Sequence, residues 1–240
     1  MTLLLLAGTR EAREIAQALA AENTPALASL AGVTREPTKL AIPTRIGGFG
    51  GAEGFRDYLL GNKIKAVLDA THPFAHLISC RSAEVCMTES VPYCQLLREA
   101  WKPEPDWHVL EREEDAAALV QPGETVFLAT GRQTLDRFAN LSHARVICRQ
   151  IDPPEAPFPF ANGHYHVAKP PFSEDDEYEL FKELGVDWLI AKNAGGNSSR
   201  TKLDAAKRLK IKVALLARPP QPAGDKAQTV EDALAWVARL

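Results

Sequence analysis

The chain is short of several things that would settle its class at once. It has no apolar run approaching the ~20 residues that a membrane-spanning helix needs, and the longest opening run, 3–7, lacks a basic leader. That run is therefore expected to be a first strand rather than a signal-peptide core. Cysteine is sparse, at Cys80, Cys86, Cys94 and Cys148, with no Cys-x-x-Cys spacing. This argues against a disulfide scaffold or a structural zinc site and predicts reduced thiols in a cytoplasmic protein. Neither sign of charge dominates, with 28 Lys and Arg against 31 Asp and Glu. General affinity for nucleic acid or for an anionic membrane is not expected from that balance. A complete G-x-G-x-x-G fingerprint is missing too.

What the chain does have is alternation. At 240 residues and 45% hydrophobic it can bury one large core or two smaller ones. Short apolar runs at 3–7, 66–70, 126–129 and 188–191 each end in a polar or glycine-containing turn, followed by a helical pattern. Strands alternating with helices imply βαβ units and parallel sheets. The expected fold is α/β: two Rossmann-like domains with parallel sheets and a cleft between them. Residues 1–100 form the expected N-terminal dinucleotide-binding domain and 101–240 the C-terminal α/β domain. The linker is placed at about 99–112, where two prolines and two tryptophans break the pattern. Helices are expected at 113–120 and 133–140, and Ser173 is the expected cap of an acidic helix start.

Ligands of open parallel sheets bind outside the carboxyl ends of the strands, so the turns there supply the candidate site. Gly8, Thr9, Arg10 and Glu11 lie where a dinucleotide fold holds phosphate against a helix N-terminus; they also suit a plain tight turn. After the second strand the chain offers Thr34 and Arg35 before any acid. A cation there suits the 2′-phosphate of NADPH, whereas a carboxylate would suit NADH; a solvated surface arginine is the plainer alternative. The missing acid also weighs against S-adenosylmethionine. In Asp69-Ala70-Thr71-His72-Pro73-Phe74-Ala75, Pro73 fixes the backbone where a helix can begin. Thr71 and His72 then stand at the strand's mouth, where His72 is able to bond a cofactor, relay a proton or simply shape the turn.

The later turns, Thr130-Gly131-Arg132 and Lys192-Asn193-Ala194-Gly195-Gly196 followed by Arg200, gather small and cationic residues suited to carboxylates or phosphates. The His72/His76 and His164/His166 pairs have no evident third ligand, and no metal is expected.

The order Ala-Gly-Thr-Arg-Glu-Ala from Ala7, Asp-Ala-Thr-His-Pro-Phe-Ala from Asp69, Thr-Gly-Arg from Thr130 and Lys-Asn-Ala-Gly-Gly from Lys192 resembles the precorrin-6A reductase family of cobalamin biosynthesis. The resemblance covers nearly the whole chain, and the string at Thr71–Ala75 is its most specific part. Ala7 stands where the family commonly has glycine, and Ala194 where serine is common. The resemblance implies NADPH-dependent reduction of precorrin-6A to precorrin-6B, by hydride transfer to the macrocycle and protonation of an adjacent ring carbon. It implies Gly8, Thr9, Arg10, Glu11, Thr34, Arg35, Thr71 and His72 as cofactor contacts, with His72 also the candidate acid. Thr130, Gly131, Arg132, Lys192, Asn193, Gly195, Gly196 and Arg200 would face the anionic tetrapyrrole. Two other readings stay open: an NADPH-dependent reductase of another conjugated substrate, and a non-enzymatic NADP-sensing module. Protein partners are not legible.

Overall fold

A computed structural model describes residues 2–32, 39–197 and 199–240. The chain forms two compact units, one of Met1–Glu99 with Pro219–Leu240 and one of Ala100–Arg218. The first unit runs β1 (Thr2–Leu6), α1 (Arg10–Ala21), β2 (Ala26–Leu30), β3 (Thr44–Ile46), α2 (Gly51–Gly61), β4 (Ile64–Asp69), α3 (His76–Thr88) and β5 (Tyr93–Leu96). The second runs β6 (His108–Leu110), a 3-10 helix at Glu113–Ala118, β7 (Thr125–Ala129), a 3-10 helix at Arg132–Phe138 and β8 (Arg145–Gln150). It continues through β9 (Gly163–Val167), α4 (Glu174–Leu184), β10 (Trp188–Lys192), α5 (Thr201–Leu209) and β11 (Lys212–Leu216). β12 (Asp225–Ala227) and α6 (Val230–Val237) close the chain.

The consecutive leucines of β1 are buried on both faces, as a central parallel strand requires. Leu3 and Leu5 meet Ile15, Ala16 and Leu19, which recur at helical spacing on α1. Leu4 and Leu6 meet Phe55 and Leu59 of α2. In the second unit Phe127, Ile147 and Leu189 pack beneath Phe181 and Leu203. Among the described residues both sheets are six-stranded, in the orders β12-β5-β4-β1-β2-β3 and β6-β11-β10-β7-β8-β9, and every pairing there is parallel. This is the α/β architecture expected, twice over, with the strand order reversing between β1 and β4 and between β7 and β10. Those reversals are the topological switch points at which such sheets bind ligands.

The observed units correct the expected division at 101–240. Pro219–Leu240 belongs to the first unit, because β12 pairs in register with β5 and α6 buries Ala233, Trp236 and Val237 in the core shared with α1. The stretch 99–112 also contains a strand, β6, which pairs with β11. The helices expected at 113–120 and 133–140 are 3-10 segments of 6 and 7 residues without side-chain caps. Segments that short gain little from α geometry once nucleation is paid.

Candidate functional site

At the carboxyl edge of the first sheet, the turn after β1 and the turn after β4 lie side by side. Gly8 adopts φ +154°, a conformation that side chains disfavour, and a Cβ added there would meet nothing within 4 Å; backbone conformation, not crowding, selects glycine. Thr9 caps α1 by accepting the Ala12 N–H at 3.2 Å and donates its hydroxyl proton to the Ala70 carbonyl at 2.8 Å. One side chain thus starts the helix and ties it to the end of β4. Arg10 is exposed and paired with Glu14 at 2.7 Å. Glu11 meets Arg98 at 2.6 Å, with both side chains largely buried. Burial alone would raise the Glu11 pKa, but the hydrogen bond and charge of Arg98 outweigh it and hold the carboxyl below its ordinary value.

Thr34 and Arg35 lie outside the described residues. The edge carries another cation, Arg45 on β3, whose guanidinium lies 4.1 Å from the Phe49 ring and 5.1 Å from that of Tyr58. It donates to Ser29 Oγ at 2.9 Å and to the carbonyls of Gly47 and Gly48 at 2.7 and 2.9 Å. Thr71 and His72 follow β4 and are half-buried. His72 Nδ1 accepts the Phe74 N–H at 3.2 Å, so a neutral ring carries its proton on Nε2. Gln221, from the returning C-terminal segment, donates to the Pro73 carbonyl at 3.0 Å and accepts from Gln95 at 2.9 Å. The turn is therefore tied through Gln221 to Gln95 of β5.

In the second unit Thr130 is buried after β7 and Arg132 is exposed. Gly131 between them, at φ +78°, makes the left-handed step into the 3-10 helix. Lys192 ends β10 half-buried; burial lowers its pKa, opposed by the charge of Glu113. Asn193 gives both side-chain functions to the Trp101 backbone, accepting its N–H and donating to its carbonyl, each at 2.9 Å. The Trp101 indole N–H bonds the Gly196 carbonyl at 2.9 Å. Arg218 holds the carbonyls of Asn193 and Ala194 at 2.8 and 3.0 Å. Gly195 and Gly196 thus sit in a loop clamped by Trp101 and Arg218. Arg200 bonds Asp204 at 3.0 Å and reaches Glu104 at 3.4 Å.

The predicted residues therefore fall into two groups, Gly8–Glu11 with Thr71 and His72 in the first unit, and Thr130–Arg132 with Lys192–Gly196 and Arg200 in the second. Sequence inspection passes over Arg45, Arg98, Trp101 and Arg218: the last three act on residues far away in the chain, and Arg45, which also bonds the nearby Gly47 and Gly48 carbonyls, belongs to no recognisable motif. The Tyr-x-x-x-Lys spacing of short-chain reductases occurs twice, at Tyr165/Lys169 and Tyr178/Lys182. Tyr165 lies within edge strand β9 and Tyr178 within α4 beneath Arg208, neither of them in the turns that follow β7 or β10. Among the described residues no group of three His, Cys, Asp or Glu is placed to hold a metal ion. Among them, too, no helix is long and apolar enough to cross a membrane.

Residues 2–238 match the family model described as precorrin-6x reductase CbiJ/CobK. The chain is 40% identical over 243 residues to the precorrin-6A reductase of Rhodococcus erythropolis, covering 99% of this chain and 98% of that one. It is 38% identical over 239 residues to the precorrin-6A reductase of Rhodobacter capsulatus, covering 98% and 95%. Among solved structures, a CobK precorrin-6A reductase superposes with a TM-score of 0.95 at 36% identity, covering 100% of this chain and 96% of that one.

Proposed function

Because the chain belongs to the precorrin-6x reductase family, CbiJ/CobK, and is an oxidoreductase of cobalamin biosynthesis, we propose that it reduces precorrin-6A to precorrin-6B with NADPH as the hydride donor. The observation that carries the cofactor half is the first sheet's reversal between β1 and β4, flanked by the Gly8 turn and the Thr71-His72 turn. The residues present fit a dinucleotide. Gly8 leaves open space beside the N-terminus of α1, whose first N–H groups lack intrahelical partners. Glu11, the acid in that first turn, is neutralised by Arg98, so the helix end keeps its attraction for phosphate.

When bound, NADPH supplies a hydride, and the reaction also takes up one proton. Gly8, Thr9, Arg10 and Glu11 frame the pyrophosphate turn, and Thr34 and Arg35 take the adenosine ribose and its 2′-phosphate. Thr71 and His72 stand at the nicotinamide end, with His72 the candidate donor of the proton. The acetate and propionate carboxylates of the macrocycle are matched by Arg132 and Lys192. Asn193 and Arg200 serve the same surface by fixing its loops, since their polar atoms are engaged within the unit. Thr130, Gly131, Gly195 and Gly196 set the backbone there. The protein's contribution is chiefly orientation and electrostatics.

Anaerobic turnover of precorrin-6A, followed through NADPH absorbance and the macrocycle spectrum together, tests the reading. Coupled loss of both signals with NADPH, and little with NADH, is expected. NADPH bound but never oxidised in the presence of precorrin-6A would contradict it. In Arg35→Ala the KM for NADPH is expected to rise at least tenfold (about 1.4 kcal/mol or more) with NADH unaffected; equal losses would remove Arg35 from the 2′-phosphate.

A further inference from the structure

Asp69 closes β4 at the switch point and is completely buried. Its Oδ1 accepts two bonds from Thr71, from the backbone N–H at 3.0 Å and from the hydroxyl at 2.7 Å. Its Oδ2 accepts the Tyr93 hydroxyl at 2.8 Å. No ion pair of Asp69 occurs among the described residues. A buried carboxylate without a cation is costly unless donors surround it, and here three do. Tyr93 remains a donor, because burial first and the Asp69 carboxylate second push its pKa upward. The same two causes push the neighbouring Cys86 thiol up to about 12, keeping it neutral.

The consequence lies at Thr71. A threonine hydroxyl has one proton and two lone pairs. An ionised carboxylate only accepts, so the 2.7 Å bond commits the Thr71 proton inward to Asp69. Ser79 Oγ, 3.3 Å away, then meets Thr71 as a donor or not at all. Any bond that the hydroxyl of the half-buried Thr71 makes to a ligand is then one that it accepts. We propose that Asp69 is a positioning residue that fixes the polarity of the Thr71 hydroxyl, so that the mouth of β4 accepts an N–H from a primary carboxamide, the nicotinamide side group. This rests on the dinucleotide reading above and adds to it a donor-acceptor sense.

The probe is 3-acetylpyridine adenine dinucleotide phosphate, in which a methyl group replaces the amide nitrogen. Dissociation constants for reduced NADPH and the reduced analogue are compared across variants, with circular dichroism confirming each fold. The unsubstituted protein is expected to prefer NADPH by about tenfold, the scale of one hydrogen bond. Thr71→Val removes the acceptor and is expected to bring the ratio to about one, and Asp69→Ala, which frees the hydroxyl to donate as well as accept, is expected to lower it. Thr71→Ser keeps the preference. Asp69→Asn also keeps most of it, since one amide oxygen accepts from Thr71 while Tyr93 turns to the Ser79 carbonyl, now 3.3 Å away. A merely structural Asp69 would weaken both ligands together and leave the ratio unchanged. An unchanged ratio in folded Thr71→Val would overturn the inference while leaving the reductase reading intact. Failure of the unsubstituted protein to bind NADPH at all would overturn both.

Discussion

Among single residues, Arg98 and Glu11 form the clearest energetic unit at the proposed cofactor edge. Their side chains are 11% and 14% exposed and 2.6 Å apart, and removing one partner leaves the other charged and poorly solvated. Arg98→Ala is expected to cost about 3 kcal/mol in urea unfolding at neutral pH. The pH dependence follows from the lowered Glu11 pKa. A carboxyl whose folded pKa lies below its unfolded value stabilises the fold above the unfolded value, and that contribution disappears as pH falls through the folded one. The gap between the unsubstituted protein and Arg98→Ala should therefore narrow in acid. A gap constant from neutral pH down through the carboxylate range would show that the pair's charge contributes nothing.

The loop after β10 is where elements and their long-range clamps meet. Asn193→Ala leaves the Trp101 N–H and carbonyl without their partners. A loss of about 2 kcal/mol is expected, together with a raised KM for the macrocycle and an unchanged KM for NADPH. A KM shift for NADPH alone would contradict the assignment of this loop to substrate. The same loop shows what a sequence can and cannot disclose. Lys192, Gly195 and Gly196 are legible because strand, turn and helix follow one another locally. The task of Asn193 is not legible, because its partner stands 92 positions away. The apolar runs at 3–7, 66–70, 126–129 and 188–191 made β1, β4, β7 and β10 readable to within two residues of their observed bounds. By contrast, β6 and β12 are three residues long, too short for any periodicity, and only pairing with β11 and β5 makes them strands. For the 3-10 segments the composition suited a helix, but the spans are too short to favour α geometry.

Across the whole molecule, the sixth strand of each sheet decides the connectivity. The first sheet is completed by β12 from the far end of the chain, and the second by β6, the strand that follows β5. Asp69, Thr9 and Gly8 therefore depend on a core that includes Ala227, Ala233, Trp236 and Val237. A chain ending at Arg218 is expected to lose NADPH binding and the cooperative unfolding of the first unit, although most of that unit's sequence is intact. Retained NADPH affinity in that shortened chain would show that β12 and α6 are dispensable.

The central claim is that a hydride passes from a nicotinamide to the macrocycle on this protein. Turnover of precorrin-6A with NADPH deuterated at both C4 positions, followed by mass spectrometry of the product, tests it most directly. The account predicts a product carrying one deuterium from the cofactor, its second new hydrogen coming from solvent. A reduced product without cofactor deuterium would contradict it.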